Sequence, residues 1–591
     1  MRVLLLSTSY NSLTQHAHVE LVRLGHDVSI ELFISDDQVR KGIELYQPDL
    51  ILCPMLTKVI PPDVWRKTPC IIIHPGVRGD RGPSSLDWAI LNQEPVWGVT
   101  AVQAAVEMDS GPIWASFQFP MRPASKSSLY RDEATQAAIK VIRTVVKRFE
   151  SGVFVPEPLD YSRFDVQGCC RPMMKQSRRA IDWSEDPVEL ILRKIRSADS
   201  TPGVLDTIDG DEYYLYGAHK EGTLVGKPGE ILATRHGAIC RAAIDGAVWI
   251  SHLKKKGARE EVHFKLPATM VLGSRLDKVP ELPIEPLYTS PVATFKEIWY
   301  EEVNDVGYLY FEFYNGAMSS SQCERLTEAF HQACARPTKV IVLMGGRDFW
   351  SNGIHLNVIE AAPNPANESW RNINLIDDLV ESILTAQGRL VISAMHGSAG
   401  AGGMMLALAA DLVFVREGTI LNPHYRTMGG LYGSEFWTYT LPKRVGAARA
   451  EQLTQACQPI GAEEAKEIGL VDEVIYLDEY SSSTFKQQIS RIAERLVHDR
   501  NYDRLLADKV EKLNQHDQEK NLLSYRKEEL MRMRDNFFGE DNSYHVARKN
   551  FVLKVPPVHT PLHLARHRQP SEPIWSSTVA NVGVLSSDYA D

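Results

Sequence analysis

Apolar and polar positions alternate in blocks through the N-terminal part of the chain. Arg2 to Ser9 is an apolar run that reads as a strand, Leu13 to Leu24 spaces its apolar residues as a helix does, and HDVSIELF from His26 reads as a second strand. A helix around Asp37 to Tyr46, the strand PDLILCPM, a short helix after Pro61-Pro62 and the apolar run Cys70-Ile71-Ile72-Ile73 continue the rhythm. Runs that are apolar at every position suit strands buried on both faces. The alternation therefore predicts an α/β unit with a parallel, doubly wound sheet. A further strand, GVTAVQAAV from Gly98, leads into the turn MDSGPI, and a helix from Leu129 to Phe149 closes the unit.

Further along, the period changes. DEYYLYGAH and GEILATRHGAIC read as short strands, and the proline-rich VPELPIEPLYTSP reads as a linker. A second α/β pattern follows it, ending in a helical stretch from Asn501 to Phe538. These shifts divide the chain into segments 1–171, 172–284, 285–545 and 546–591.

Composition narrows the function more than the fold. The chain has 591 residues and a formal net charge of -10, with no long basic block, which argues against nucleic acid or a membrane surface as partner. No stretch is long and apolar enough to span a bilayer, and the N-terminal apolar run is too short for a signal peptide. The eight cysteines are scattered, and the adjacent Cys169-Cys170 lacks the spacing of a zinc or redox site. These features predict a cytoplasmic protein with reduced thiols, no metal site and small-molecule chemistry.

His74 ends a buried strand just before Pro75-Gly76, and in open α/β sheets that carboxyl edge is where ligands bind. Asp109 lies in the turn MDSGPI, expected at the same rim. IIIHPGVRGDRGPSSLDWAI followed by GVTAV and MDSGPIWA resembles the folate-dependent formyltransferases. The resemblance implies that segment 1–171 takes 10-formyltetrahydrofolate, that His74 and Asp109 are catalytic, and that CPMLTKVIPPDVW, with Leu56, lines the pterin pocket. Formyl transfer passes through a tetrahedral oxyanion, so it needs a hydrogen-bond donor and a proton acceptor. One position departs from the family: Ile72 stands where it has asparagine, and an apolar side chain cannot stabilise an oxyanion. A thiol acceptor fits that loss, because a thiolate is a strong nucleophile without a tightly bound base. RAIDWSEDPVELILRKIRSADSTPGV, from Arg179, resembles the start of the OB-like C-terminal domain of such enzymes, assigned to 172–284.

KVIVLMGGRDFWSNGIHLNVIE, RLVISAMHGSAGAGGMMLALAADLVFV and LPKRVGAARAEQLTQACQPIGAEEAKEIGLVDEVI resemble the crotonase superfamily, assigned to 285–545. The resemblance implies an oxyanion hole for a coenzyme A thioester, formed by the amides of Ile354 and Gly402. The two glutamates of the hydratases fall at Met405 and near His424, so water addition lacks both carboxylates. In GGLYGSEFWTYTLPKRVG, Glu435, Phe436 and Trp437 replace small residues and Tyr439 replaces a glutamine. Glu435 and Tyr439 are four apart, on one face of the expected helix. Met404, Met405, Phe436 and Trp437 are expected to exclude water.

A formyltransferase joined to such a crotonase resembles the HypX (HoxX) family of hydrogenase maturation proteins. The resemblance implies synthesis of carbon monoxide from 10-formyltetrahydrofolate by way of formyl-coenzyme A, with other maturation proteins as partners. Gln15 and Arg131 are candidates for coenzyme A binding, while Arg548 and Lys549 read equally as solvated surface. Two alternatives stay open at this point: two independent activities, or a scaffold without catalysis.

Overall fold

The computed structural model describes residues 1–257, 262–288, 290–477 and 484–569. They form two compact units. One comprises Met1–Leu282, Val292–Phe295 and the segment from Leu553 onward; the other comprises Pro283–Pro291 and Lys296–Val552.

The first unit contains six strands, β1 (Arg2–Ser7), β2 (Asp27–Leu32), β3 (Leu50–Cys53), β4 (Cys70–His74), β5 (Val96–Gln103) and β6 (Ile113–Pro120), in the order β2-β1-β3-β4-β5-β6. The first four are parallel, as the continuous apolar runs of β1, β3 and β4 predict. The other two correct that expectation: β5 runs antiparallel to β4, and β6, absent from the sequence reading, runs antiparallel to β5. The reason lies in the connection. The only helix between β4 and β5, Ser85–Leu91, has seven residues and rises about 10 Å. That is too short to carry the chain back along the sheet for a parallel crossover.

The helix expected over Leu129 to Phe149 is instead a short helix, Lys126–Leu129, a π-turn at Tyr130–Ala134, and a helix at Thr135–Ser151. A six-stranded antiparallel sheet follows, ordered Val204–Ile208, Asp211–Glu221, Gly246–Lys255, Ala238–Ala243, Ile231–Arg235, with the short strand Leu266–Pro267 paired to Gly246–Lys255 off this path. The helix Val188–Ala198 buries Val188, Ile191, Leu192 and Ile195 in the core of that sheet.

The stretch read as a tail from 546 divides. Ser543–Val552 is a helix of the second unit, whereas the described part of the segment from Leu553 covers the edge strand β2 of the first. Ile30 N–H donates to Leu564 O at 3.2 Å and Leu32 N–H to Thr560 Oγ1 at 2.9 Å. Thr560 Oγ1, His567 Nε2 and Arg568 Nε each lie 2.8 Å from the fully buried Glu31 carboxylate. An edge strand covered in this way offers no open backbone for pairing with another chain. The rest of the expected tail lies outside the described residues.

The second unit stacks a six-stranded sheet, Ile298–Val303, Val306–Phe311, Val340–Gly345, Leu390–Met395, Leu412–Arg416 and Glu473–Ile475, with a smaller one built from Phe349–Ser351, Ser398–Gly400, Ile420–Asn422 and Ile460–Gly461. Short strands of the smaller sheet deliver the chain into the two turns that matter below. The helical stretch from Asn501 breaks into Tyr502–Glu519 and Leu522–Phe538, the second capped by Asn521, whose side chain accepts from Ser524 N–H.

Candidate active sites

In the first unit, His74 closes β4 with its ring held between two carboxylates. Nε2 lies 2.9 Å from Asp80 Oδ2, and Nδ1 faces Asp109 Oδ2 at 3.5 Å. Asp80 is tied in turn by Arg171, whose Nη1 donates to Oδ1 at 2.7 Å. An ionised carboxylate only accepts, so Asp80 fixes which ring nitrogen carries its hydrogen and leaves Nδ1 turned to Asp109. All three site residues are buried.

The local sequence explains the geometry. Gly76 admits the ring because a Cβ there would come within 2.5 Å of both His74 Nε2 and Asp80 Oδ2. The turn is pinned by Pro75 O, which accepts from Ser85 Oγ at 2.6 Å and from Trp97 Nε1 at 3.0 Å. Asp109 arrives by a different route from the one expected. Because β5 runs antiparallel, its end lies beside Cys70, where Ala104 N–H donates to Cys70 O at 2.8 Å. The loop between β5 and β6 then folds back, with Asp109 at φ +53° and its carboxylate accepting from Gly82 N–H at 3.2 Å. Ile72, on the same face of β4 as His74, and Leu56 both pack against the apolar cluster of Leu4, Leu6, Cys53 and Ile60. Gln15 is buried and donates to Tyr10 O at 3.3 Å; Arg131 is buried in the π-turn.

In the second unit, two strand-to-helix turns converge. Gly353, at φ +76°, approaches the second turn so closely that a Cβ on it would lie 3.3 Å from Gly402 N. Gly402 opens the helix Gly402–Leu408, where the first amides have no partner within the helix. Among the described residues neither the Ile354 nor the Gly402 amide is hydrogen-bonded. Both are therefore available to a thioester oxygen.

Glu435 stands at this turn. A Cβ on Gly402 would overlap its Oε1. Its other oxygen, Oε2, accepts from Tyr425 O–H at 2.7 Å and from Ser434 N–H at 3.1 Å, so Oε1 is the oxygen left facing the amides. Burial, and after it the charge of nearby Asp377, raises the Glu435 carboxyl to about 8. Burial likewise raises the Tyr425 phenol. Burial of this kind favours the neutral, proton-bearing form of the carboxyl.

One expectation is corrected here. The helix begins at Trp437, not before Glu435, because Glu435 and Phe436 both take the left-handed conformation. Glu435 and Tyr439 therefore do not share a helical face. Tyr439 accepts from Lys443 Nζ at 2.7 Å and packs on Tyr525, whereas the phenol that reaches Glu435 is Tyr425. Met404, Met405 and Phe436 are fully buried, while Trp437 lines a separate cavity of about 350 Å³ with Tyr425, Tyr432 and Thr454. Met405 and His424, at the positions of the hydratase glutamates, are also buried. Arg548 is not a solvated cation: it is buried, with Nε on Glu360 at 2.8 Å, while Lys549 is exposed.

The sequence reading missed Asp80, Arg171 and Tyr425. Asp80 lies within the quoted formyltransferase motif, six residues past His74, and Tyr425 is next to His424. Arg171 carries no local signal.

Comparison with known proteins agrees with both halves. The formyl transferase family pattern matches residues 31–146, the formyl transferase C-terminal domain 173–262, and the enoyl-CoA hydratase/isomerase family 312–557. The chain is 46% identical to the hydrogenase maturation factor HoxX of Bradyrhizobium diazoefficiens, over 96% of this chain and 97% of that one. Its structure superposes with a TM-score of 0.93 on HypX from Aquifex aeolicus in complex with tetrahydrofolic acid, at 44% identity, covering 97% of this chain and 100% of that one. The methionyl-tRNA formyltransferase of Trichlorobacter lovleyi is 28% identical over 38% of this chain and 70% of its own.

Proposed function

Because the chain belongs to the HypX (HoxX) family of hydrogenase maturation factors, we propose that it makes carbon monoxide from 10-formyltetrahydrofolate in two steps. The first moves the formyl group to the thiol of coenzyme A. The second splits formyl-coenzyme A into carbon monoxide and coenzyme A, the gas becoming a ligand of the nickel-iron hydrogenase.

In the first step the thiolate attacks the formyl carbon, the C–N10 bond breaks, and N10 leaves with a proton. His74, its Nε2–H held by Asp80, presents Nδ1 as the acceptor that takes the thiol proton, and with Asp109 at 3.5 Å passes it on to N10 as that nitrogen leaves. Tetrahydrofolate as the bound form of the donor is supported by the complex of the Aquifex aeolicus relative. The apolar Ile72 beside this histidine fits a thiol acceptor better than an amine, which needs more help in losing its proton.

In the second step the Ile354 and Gly402 amides hold the thioester oxygen. Glu435 gives the proton on Oε1 to the sulfur as the C–S bond breaks, then receives the formyl hydrogen as a proton while the carbon keeps the C–H electron pair. The products are carbon monoxide and the free thiol, and the carboxyl is restored. Hydrolysis to formate competes, and the dry packing of Met404, Met405 and Phe436 disfavours it.

The observation that carries this reading is the Glu435 carboxyl set against the Gly402 turn where hydratases carry no acid, with the hydratase positions occupied by Met405 and His424. Incubation of the purified protein with 10-formyltetrahydrofolate tests it. Carbon monoxide, trapped by reduced haemoglobin, is expected only when coenzyme A is present; formate with no gas would refute it.

A further inference from the structure

Glu435 and Phe436 are consecutive non-glycine residues at φ +62° and +56°. Left-handed backbone is strained at residues that carry a Cβ, so the turn needs anchors. Two buried carboxylates supply them from distant helices. Asp377, on Pro365–Leu384, accepts Glu435 N–H at 2.8 Å and the Ser434 hydroxyl at 2.7 Å. Glu529, on Leu522–Phe538, accepts Phe436 N–H at 2.9 Å and Thr438 N–H at 2.8 Å, together with the Thr438 hydroxyl. Both acids are fully buried.

Resting on the reading of Glu435 as the decarbonylating acid, we propose that Asp377 and Glu529 are positioning residues for it. They fix the turn that aims Oε1 at Gly402, and the charge of Asp377 keeps the proton on Glu435.

The distribution of donors decides where the proton resides. Glu529 receives three donors; Asp377 receives two, with Arg526 Nε 3.8 Å away. On Glu435 both donors fall on Oε2, and Oε1 receives none from a described residue. A proton on Oε1 therefore displaces no hydrogen bond. The groups facing Glu435 are Tyr425, Asp377, Glu529 and Cys323, with Asp378 and Arg526 behind Asp377. Burial and the Asp377 charge both hold Glu435 above the usual carboxylate range, and burial raises Asp377 and Glu529 as well.

The test supplies formyl-coenzyme A directly and follows carbon monoxide release against pH. A required acid gives a rate that falls as pH rises through its pKa, and removing a neighbouring negative charge lowers that pKa. Asp377→Asn is expected to move the falling limb of kcat to lower pH by about one unit, with KM changed by less than about threefold. Glu529→Gln, which loosens the turn without removing a charge that acts on Glu435, should lower kcat and leave the limb in place. A lower kcat with an unmoved limb in both variants would reduce the two acids to a structural role and overturn the proposal. Should neither variant fold, the infrared difference between the unmodified protein and Glu435→Gln decides. A protonated carboxyl band at neutral pH that disappears on alkalinisation supports the proposal, and its absence overturns it. Unmodified protein that releases no gas from formyl-coenzyme A at any pH would instead overturn the reading of Glu435 on which the proposal rests.

Discussion

Oε1 of Glu435 lies so close to the Cα of Gly402 that a methyl group at position 402 would occupy the same space. The absent side chain of one residue thus makes room for the reactive oxygen of the other. In the proposed second step Gly402 is also the residue whose amide holds the thioester oxygen. Acid and oxyanion donor are in this way fixed relative to each other.

Gly402→Ala should therefore displace the Glu435 carboxyl without touching the folate site. We expect carbon monoxide release from formyl-coenzyme A to fall on the order of a hundredfold, the scale of a lost general acid. Formation of tetrahydrofolate should remain within about twofold, since no step of formyl transfer uses the turn. Quantifying both products in one reaction checks the expectation.

With formyl-coenzyme A as substrate, decarbonylation by the unmodified protein should fall as pH rises past about 8, the value to which burial and the Asp377 charge push Glu435. The sign follows from the role: the carboxyl must be protonated to serve the sulfur, and a raised pKa extends that range upward. The pH dependence of kcat measures this. A rate that climbs through the same range would make the carboxylate, not the acid, the active form.

Asp80→Asn should impair formyl transfer while decarbonylation of supplied formyl-coenzyme A stays normal. The amide replaces a carboxylate that accepts from His74 Nε2 at 2.9 Å and from Arg171 at 2.7 Å, so the ring loses its fixed tautomer. A loss of about a hundredfold in tetrahydrofolate formation is the expected scale.

Much of this was legible along the chain. The apolar runs announced β1, β3 and β4 because strands buried on both faces have little room for polar residues. His74 was visible as a polar residue ending such a run, and Gly402 as part of a glycine-rich turn. The direction of β5 was hidden in the length of the Ser85–Leu91 helix, and β6 in a stretch, IWASFQFP, taken for the sequel of a turn. The start of the helix after Glu435 was misjudged because two successive non-glycine residues at positive φ have no local signature. Their anchors, Asp377 and Glu529, lie 58 and 93 residues along the chain from Glu435 and Phe436, whose amides they accept. Tertiary contacts of that kind leave no periodicity to read.

The strap over β2 makes a prediction about stability. Thr560→Val removes the hydroxyl that donates to Glu31 and accepts from Leu32 N–H, leaving both buried groups without that partner. The cost is about 1–3 kcal/mol. Differential scanning calorimetry of the whole chain should show its first transition shifted down, with the acid-dependent chemistry at Glu435 unaffected.

The central claim is that one chain passes a formyl group from folate to a thiol and then expels it as gas. Following carbon-labelled 10-formyltetrahydrofolate in the presence of coenzyme A, in the unmodified protein, His74→Ala and Glu435→Gln, tests it most directly. The unmodified protein should yield labelled carbon monoxide, His74→Ala neither tetrahydrofolate nor gas, and Glu435→Gln labelled formyl-coenzyme A that accumulates without gas. Gas at the normal rate from Glu435→Gln, or labelled gas without any labelled thioester in its formation, would contradict the account.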